Sequence, residues 1–369
     1  MAKRIIISGG GTGGHIFPAI AIANALKRLA PDTAVLFVGA NGKMEMEKVP
    51  AAGYEIIGLD IQGINRKSLW KNLALPFKLY RSIRKARQII RDFRPDVAVG
   101  VGGYASGPLL HSAVRMGVPA LIQEQNSYAG ITNKRLAGKV ATVCVAFEGM
   151  DRFFPKEKIL FTGNPIRREA VTIADKRPEA TAALGLSPER KTILLTGGSL
   201  GARTLNESMR DGLDRLVAAN IQVVWQCGAY YYDSLRESVN AEYGEHVKLT
   251  PFLQRMDFAY AAADAIIARA GAGTIAELCV VGKPTILVPS PNVAEDHQTK
   301  NAQALVNRSA ALMVTDAEAP RKLITEALAL LDDQRQCEML CANLKELAIV
   351  DADEVIAREV LRLAGDDKR

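Results

Sequence analysis

The sequence predicts an α/β protein made of two doubly wound domains, each built on a parallel sheet. Short continuous apolar runs alternate with helix-like segments along the whole chain, and part of this pattern recurs in the second half. The length of 369 residues is enough for two domains of ordinary size. These three observations define the predicted fold class.

The apolar runs predict strands that are buried on both faces, as in a parallel sheet covered by helices. They are RIIIS, AVLFVG, DVAVGVG, PALIQ and ATVCVA in the first half, and TILLTGG, IQVVWQCG, HVKLTPF, DAIIARAG and PTILVPS in the second. Residues 96–122 and 264–288 share one order of features: an aspartate, a strand, a glycine-rich turn, a helix and a G-x-P step. Residues 4–15 resemble residues 192–203. We therefore expect two Rossmann-like domains that face a central cleft.

The change between the domains is predicted within residues 161–170, FTGNPIRREA, because Gly163, Asn164 and Pro165 interrupt regular structure. The first domain is expected over residues 1–163 and the second over 164–351. The last segment, about 352–369, reads as a helix that ends near Gly365 and packs back on the first domain.

Composition excludes several classes of protein. The five cysteines form no C-x-x-C pair, so neither a zinc site nor a disulfide framework is expected, and the expected compartment is a reducing cytosol. No signal-peptide pattern or membrane-spanning run is found. The net charge is +7, and the segment from Arg66 to Arg94 holds ten basic residues against one acid, Asp92.

The first glycine loop has the G-x-G-x-x-G spacing of dinucleotide-binding proteins, at Gly9, Gly11 and Gly14. An NAD-linked oxidoreductase would also need an acid at the end of the second strand to hold the ribose. That strand ends in GAN, and the next carboxylate is Glu45, beyond another glycine. The missing acid disfavours this class.

The same loop has features that suit a different ligand. Thr12, Gly13 and Gly14 place small groups and backbone N–H donors at a strand's carboxyl end, where ligands of open sheets bind. His15 follows at a helix N-terminus, whose positive end favours the neutral imidazole that a general base requires. The alternative is a histidine that is hydrogen-bonded to a turn carbonyl.

The second glycine loop, TGGSLGARTLN, is a candidate diphosphate cradle. Gly197 and Gly198 would offer backbone N–H groups and Ser199 a hydroxyl in front of the next helix. The alternative is a tight strand-to-helix turn, which also needs glycine.

Three further stretches carry polar groups. In RAGAGTIAEL, Glu277 follows Thr274 by three residues, which is either a capping box or a carboxylate placed for ribose hydroxyls. In EDHQTKNA, His297, Gln298 and Asn301 suit sugar hydroxyls, or form a polar loop. In QEQNSYAGITNK, Glu124 and several amides follow a buried strand, which favours a functional role over a hydrogen-bonded scaffold.

Six motifs in this order resemble the MurG family of bacterial glycosyltransferases: GGGTGGHIFPA, QEQNSYAGITNK, GNPIR, GGSLGAR, AGAGTIAEL and EDHQTKNA. The resemblance spans residues 9 to 302. It implies a two-domain GT-B fold and inverting transfer of N-acetylglucosamine from UDP-N-acetylglucosamine to the undecaprenyl-linked acceptor lipid I, which gives lipid II for peptidoglycan. No metal ion and no cofactor are expected. The alternative is another GT-B-type UDP-sugar enzyme with a lipid acceptor.

The resemblance also implies roles for individual residues. His15 is the leading candidate for the general base, Glu124 is a rival that would otherwise orient it, and Asn126 contacts the donor and belongs to the catalytic set. The donor site would be formed by Thr12, Gly13, Gly14, Asn126, Arg167, Ser199, Leu253, Ala272, Gly273, Thr274, Ile275, Ala276, Glu277 and Gln298.

The basic segment predicts peripheral docking on an anionic membrane surface, on the cytoplasmic face of the cell membrane. Apolar residues recur among its cations at helical spacing: Leu69, Leu73, Phe77, Tyr80, Ile83 and Ile90. Nucleic acid is not an expected partner because no nucleic-acid-binding motif accompanies the charge. Other cell-wall synthesis proteins are expected partners.

Overall fold

The computed structural model describes residues 2–63, 75–198 and 200–365. They form two compact units. The first contains the described residues up to Ile166 together with those from Asp351 onward, and the second contains Arg167–Val350. The division falls three residues after the position that the sequence predicts.

The first unit is built on a seven-stranded parallel sheet. Its strands are β1 (Arg4–Gly9), β2 (Ala34–Ala40), β3 (Glu55–Leu59), β4 (Val97–Gly102), β5 (Ala120–Glu124), β6 (Thr142–Val145) and β7 (Ile159–Phe161). Its helices are α1 (Gly13–Leu29), α2 (Glu45–Ala51), α3 (Leu75–Phe93), α4 (Ser106–Arg115), α5 (Ile131–Leu136) and the last helix of the chain, α16 (Ala352–Gly365). The strand order β3-β2-β1-β4-β5-β6-β7 changes direction between β1 and β4.

Helices cover both faces of this sheet, which is why its strands are continuously apolar. Ile6 of β1 packs in a cluster with residues of α3, α4 and α5, whereas Ile5 and Ile7 pack in a second cluster with residues of α1 and α16. The final helix is therefore part of the first unit's core. An ion pair of 2.6 Å between Arg28 and Asp353 also links α16 to α1.

The second unit repeats this architecture with six parallel strands. They are β8 (Lys191–Thr196), β9 (Ile221–Gln226), β10 (Val247–Thr250), β11 (Ala265–Ala268), β12 (Thr285–Leu287) and β13 (Leu312–Met313). Its helices are α6 (Arg168–Val171), α7 (Arg177–Ala183), α8 (Arg203–Asp211), α9 (Leu213–Ala218), α10 (Ala229–Tyr243), α11 (Met256–Ala262), α12 (Ala272–Val281), α13 (His297–Val306), α14 (Ala319–Asp332) and α15 (Gln334–Glu346). The order β10-β9-β8-β11-β12-β13 changes direction between β8 and β11.

The internal repeat seen in the sequence corresponds to the centre of each sheet. Residues 4–15 and 192–203 contain β1 and β8 with the loops that follow them, and residues 96–122 and 264–288 contain β4–α4–β5 and β11–α12–β12. Each pair of central strands borders the point where the strand order reverses. Open α/β sheets bind ligands beside such points, at the carboxyl ends of the strands.

The ten predicted strands are confirmed, but the sequence analysis missed β3, β7 and β13. All three are edge strands, and most of their residues are only half-buried or exposed. An edge strand has one neighbour and less covered surface, so its apolar run is shorter and its sequence signal weaker.

The predicted docking segment is described from Leu75 onward, and Leu69 and Leu73 lie outside the described residues. Helix α3 buries Ala86, Ile89 and Ile90 against the sheet. Within the described parts of the chain, no helix has both the length and the apolar character to span a bilayer.

Candidate functional site

In the first unit, two glycine loops meet where the strand order reverses. The N–H of Gly10, after β1, donates to the carbonyl of Gly102, at the end of β4, over 3.3 Å. Gly103 has a φ of +89°, and a Cβ there would overlap the backbone of Gly10. Glycine is therefore required at 103 for both conformation and space. In the sequence this second loop is recognisable only as part of the internal repeat.

His15 lies in the first turn of α1 with its ring held by the first loop. Its Nδ1 is 3.1 Å from the carbonyl oxygen of Gly10 and 3.4 Å from Thr12 Oγ1. A carbonyl can only accept, so Nδ1–H is the donor and Nε2 is the accepting nitrogen of the neutral ring. The ring also packs on Gly102, where a Cβ would be 2.5 Å from Cδ2. The turn-carbonyl bond that was the alternative interpretation thus exists, and it favours the tautomer that carries its proton on Nδ1.

The remaining residues of the first loop lie around the start of α1. Thr12 is the N-cap residue in an extended conformation, and its carbonyl accepts from the N–H of His15 over 3.1 Å. Gly13 is half-buried, while Thr12 and Gly14 are exposed.

Glu124 is buried at the end of β5 and organises the loop that follows. One carboxylate oxygen accepts from Asn126, through its backbone N–H at 3.2 Å and its Nδ2 at 3.4 Å. The other accepts from the N–H of Gly130 at 3.0 Å and from Asn133 Nδ2 at 2.8 Å. A carboxylate that accepts four such bonds is well suited to orienting Asn126. All four bonds come from the loop that carries Asn126 and from the start of α5, so they show Glu124 positioning that loop, and its predicted roles as base or as the residue that orients His15 stay predictions.

Buried amides explain the other polar residues of this region. Gln123 Nε2 donates to Asn164 Oδ1 over 3.0 Å, Asn164 Nδ2 donates to the carbonyl of Gln125 over 3.0 Å, and Gln125 Nε2 donates to the carbonyl of Val101 over 2.6 Å. This network ties the QEQN motif to the GNPIR motif and to the end of β4. These hydrogen bonds offset the free-energy cost of burying the amide groups.

In the second unit, the loop after β8 packs closely on the end of β9. Gly198 and Gly201 have φ values of +80° and +74°, and a Cβ at Gly201 would overlap the carbonyl of Cys227. Gln226 Nε2 donates to the carbonyl of Gly198 over 3.0 Å. The loop is thus a tight turn before α8, in which the N–H of Gly201 donates to the carbonyl of Gly198 over 2.9 Å and the N–H of Gly198 donates to Thr196 Oγ1 over 3.4 Å. Ser199 lies outside the described residues, so its predicted contact remains a prediction.

Glu277 is buried on α12 and forms a cluster with two other side chains. Its carboxylate accepts from Arg167 Nε at 2.9 Å and Nη2 at 3.1 Å, and from the hydroxyl of Tyr260 at 3.1 Å. Burial opposes the charge on Arg167, but Glu277 raises the pKa of the guanidinium. Burial, together with the charge of Glu277, raises the pKa of Tyr260 well above its usual value, so its hydroxyl stays a donor.

The capping-box interpretation of Thr274 and Glu277 is not what the structure shows. Helix α12 begins at Ala272 with Gly271 as its N-cap, so Thr274 already lies inside the helix. The Glu277 carboxylate instead binds Arg167. From the sequence, the two residues were predicted to contact the sugar-nucleotide donor independently. In the first turns of α12, Ala272, Gly273, Thr274 and Ala276 are half-buried, while Ile275 and Glu277 are buried.

Two other residues predicted to bind the sugar donor lie after the carboxyl ends of β10 and β12, which three strands separate in the sheet. Leu253 is half-buried in the loop after β10. Gln298, on α13 after β12, accepts from the N–H of Ser290 over 2.9 Å through Oε1.

A half-buried link between the loops before α8 and α12 was not predicted from the sequence. Arg269, which directly follows β11, forms an ion pair of 2.6 Å with Asp316 and donates to the carbonyls of Val288 and Pro289. Asp316 also accepts from the Thr204 hydroxyl, on the first turn of α8, over 2.9 Å. The loops before α8 and α12 are therefore fixed to one another.

Known proteins share both units. Residues 5–145 match the model of the glycosyltransferase family 28 N-terminal domain, and residues 192–356 match that of the family 28 C-terminal domain. A Bacteroides fragilis protein, described as UDP-N-acetylglucosamine--N-acetylmuramyl-(pentapeptide) pyrophosphoryl-undecaprenol N-acetylglucosamine transferase, is 57% identical over 98% of this chain and 96% of its own length. A Parabacteroides distasonis protein of the same description is 55% identical over 98% of both chains. The crystal structure of Acinetobacter baumannii MurG has a TM-score of 0.78 and 28% identity, covering 98% of this chain and 99% of that one.

Proposed function

The chain belongs to the MurG family of glycosyltransferases, and from this premise we propose that it transfers N-acetylglucosamine from UDP-N-acetylglucosamine to the 4-hydroxyl of the muramoyl sugar of lipid I. The product is lipid II, a precursor of peptidoglycan. The observation that carries the proposal is the full-length identity above one half with relatives described as this transferase.

The reaction needs a base for the acceptor hydroxyl, and His15 is the proposed base. The acceptor oxygen attacks C1 of the α-linked sugar from the side opposite UDP and gives its proton to Nε2. The new O–C1 bond forms as the bond from C1 to the UDP oxygen breaks, so the linkage becomes β and UDP leaves with the electron pair. Support comes from the contact of Nδ1 with Gly10, which leaves Nε2 as the accepting nitrogen of the neutral ring.

The second unit is proposed to bind the donor and stabilise departing UDP. The backbone donors of the loop before α8, with Ser199 and the positive end of that helix, would face the diphosphate. Arg167 would add a positive charge, and Glu277 would accept hydrogen bonds from the ribose hydroxyls. Gln298 would accept from the hydroxyls of N-acetylglucosamine. Leu253 would lie beside the uracil. Because Arg167 and Glu277 are already paired, the two act as one preorganised unit.

The direct test is transfer of labelled N-acetylglucosamine from UDP to a short-chain lipid I analogue. We expect a labelled lipid II analogue with a β-linkage, formed in the presence of a chelator. Transfer to a different lipid-linked sugar, with none to the lipid I analogue, would favour the alternative of another UDP-sugar enzyme with a lipid acceptor. Absence of transfer to either would contradict the proposal.

Peripheral docking on the cytoplasmic face of the membrane is the second part of the proposal. Helix α3 exposes two aromatic side chains, Phe77 at 63% and Tyr80 at 65%. Arg81 and Arg84 are exposed on the same helix, and the Arg81 guanidinium lies 5.7 Å from the centre of the Phe77 ring. Exposed aromatics among cations suit the interface of an anionic bilayer.

Reversing the charge at Arg81 and Arg84 is expected to weaken binding to anionic vesicles by about tenfold or more, since each basic residue near such a surface contributes about 1 kcal/mol. Lys85 should be left intact because its Nζ donates to the carbonyl of Gly58 over 2.7 Å and supports β3. A matched control reverses two exposed arginines of the second unit, Arg321 and Arg335. Equal loss of vesicle binding in both variants would contradict docking through α3.

A further inference from the structure

We propose that Glu45 is a positioning residue that acts on His15 through the peptide group between Gly10 and Gly11. The inference rests on the proposed role of His15 as base. In the sequence, Glu45 is an acid that lies too far beyond the second strand to be the ribose-binding acid of a dinucleotide enzyme. The fold brings it back to the first glycine loop.

The Glu45 side chain is buried, with 1% of its surface exposed, at the start of α2. One carboxylate oxygen accepts from the N–H of Gly11 over 2.8 Å, and the other accepts from the N–H of Ala40 over 3.0 Å. Accepting from two backbone donors is the bonding pattern of an ionised carboxylate. The end of β2 and the first glycine loop are thereby held by one charged group.

His15 is bound to the opposite end of the same peptide group. The N–H of Gly11 and the carbonyl of Gly10 belong to one planar unit, which cannot bend between them. Glu45 accepts from the N–H end, and His15 Nδ1 donates to the carbonyl end over 3.1 Å. In Ser-His-Asp enzymes a carboxylate binds the histidine directly and fixes its tautomer. Here a peptide group is interposed.

Two consequences follow for His15. Glu45 fixes the peptide plane, so the carbonyl that accepts from Nδ1–H has a fixed direction. The tautomer that carries its proton on Nε2 is therefore disfavoured. The carboxylate also polarises the peptide, which makes its carbonyl oxygen a better acceptor and favours the imidazolium formed when the ring takes a proton. Two other side chains lie beside this peptide group. Thr12 Oγ1 is 3.4 Å from His15 Nδ1, and the Tyr104 ring packs near Gly11.

Close packing shows that the loop is shaped around this carboxylate. A Cβ at Gly10 would overlap the carboxyl group of Glu45, and a Cβ at Gly39 would be 2.7 Å from its Cγ. Gly39 lies one residue before the end of β2, the region where a dinucleotide enzyme would carry its ribose acid. In this chain the glycine instead makes room for Glu45 to reach the loop.

The test is Glu45→Gln, with Glu47→Gln as the matched control on the exposed side of α2. We expect Glu45→Gln to lower kcat by about 10- to 100-fold, a smaller loss than removal of the base itself, with KM for UDP-N-acetylglucosamine within about twofold of wild type. Followed by NMR, the midpoint of His15 titration should fall by about half a pH unit, since the imidazolium loses a negative charge. The chain has four histidines, so a His15→Gln spectrum assigns the signal.

A folded Glu45→Gln protein with wild-type kcat and an unchanged His15 titration would overturn the inference. If that variant does not fold, the tautomer of His15 in the wild-type protein is measured from the chemical shifts of its ring nitrogens. A proton on Nδ1 supports the inference, and a proton on Nε2 overturns it. The proposed role of His15 as base is tested separately. Near-normal turnover by His15→Gln would show that His15 is not the base, whereas the NMR titration of His15 would still report its link to Glu45.

Discussion

Replacing His15 with alanine is expected to lower kcat for transfer to a lipid I analogue by about 10²- to 10⁴-fold, the usual contribution of a general base. UDP binding should remain, because the residues proposed to contact the uracil, the ribose and the departing diphosphate, among them Arg167, Leu253 and Glu277, lie in the second unit. The measurements are steady-state kinetics of labelled transfer and thermal protection of each variant by UDP. The physical reason is that Nδ1 is bound to the Gly10 carbonyl, so Nε2 is the nitrogen proposed to take the proton of the acceptor hydroxyl.

His246→Ala is a closely matched control. His246 also has its Nδ1 3.1 Å from a backbone carbonyl, that of Ile221, but it precedes β10 in the second unit and has no proposed catalytic role. Its loss removes the same kind of hydrogen bond and should leave kcat close to wild type. Near-normal turnover by His15→Ala, or an equal loss in both variants, would show that the base lies elsewhere.

Replacing Glu277 with glutamine is expected to raise KM for UDP-N-acetylglucosamine by about 10- to 100-fold and to reduce thermal protection by UDP. The variant keeps the shape of the side chain but loses the anionic acceptor for ribose hydroxyls, and its amide would place donors against Arg167. Leaving a buried partner imperfectly paired costs about 1–3 kcal/mol of folding stability. Donor kinetics and chemical unfolding of the same variant measure the two effects separately.

Two controls separate donor binding from loss of a buried ion pair. Asp257→Asn alters another buried carboxylate of the second unit that is paired with more exposed cations, where bonds from Arg255 and Lys176 hold the pKa of Asp257 well below its usual range. Tyr260→Phe removes only the hydroxyl that donates to Glu277. Both should cost stability while donor affinity stays near wild type. If Asp257→Asn weakened UDP binding as much as Glu277→Gln, the ribose role would be wrong.

Most of the central fold and several loops could be predicted from local sequence. The runs that form β1, β4, β8 and β11 are apolar throughout because helices cover both of their faces, and the glycines after them mark positions that need positive φ or close backbone contact. The edge strand β10 was predicted from its apolar run, but the edge strands β3, β7 and β13 were not. Their half-exposed residues carry no distinctive period or run.

The pairing of site residues could not be predicted, because it joins residues far apart in sequence. Arg167 and Glu277 are 110 residues apart, and each was assigned to the donor without reference to the other. Asp316 has no local motif, yet it fixes Arg269. In the sequence Glu45 has no feature that distinguishes it from other helix residues. Its contact with the first glycine loop exists only because β1 and β2 are neighbours in the sheet.

By itself the sequence determined the two α/β halves, the glycine loops at the strand ends and the residue types able to handle a sugar diphosphate, because periodicity and turn chemistry are local properties. Only the tertiary structure decided what each polar side chain does. It placed Glu124 under the loop that carries Asn126, joined Glu277 to Arg167, and bound Glu45 and His15 to opposite ends of one peptide group. A carboxylate's role depends on which donors surround it once it is buried, and those donors come from elements that meet only in the fold.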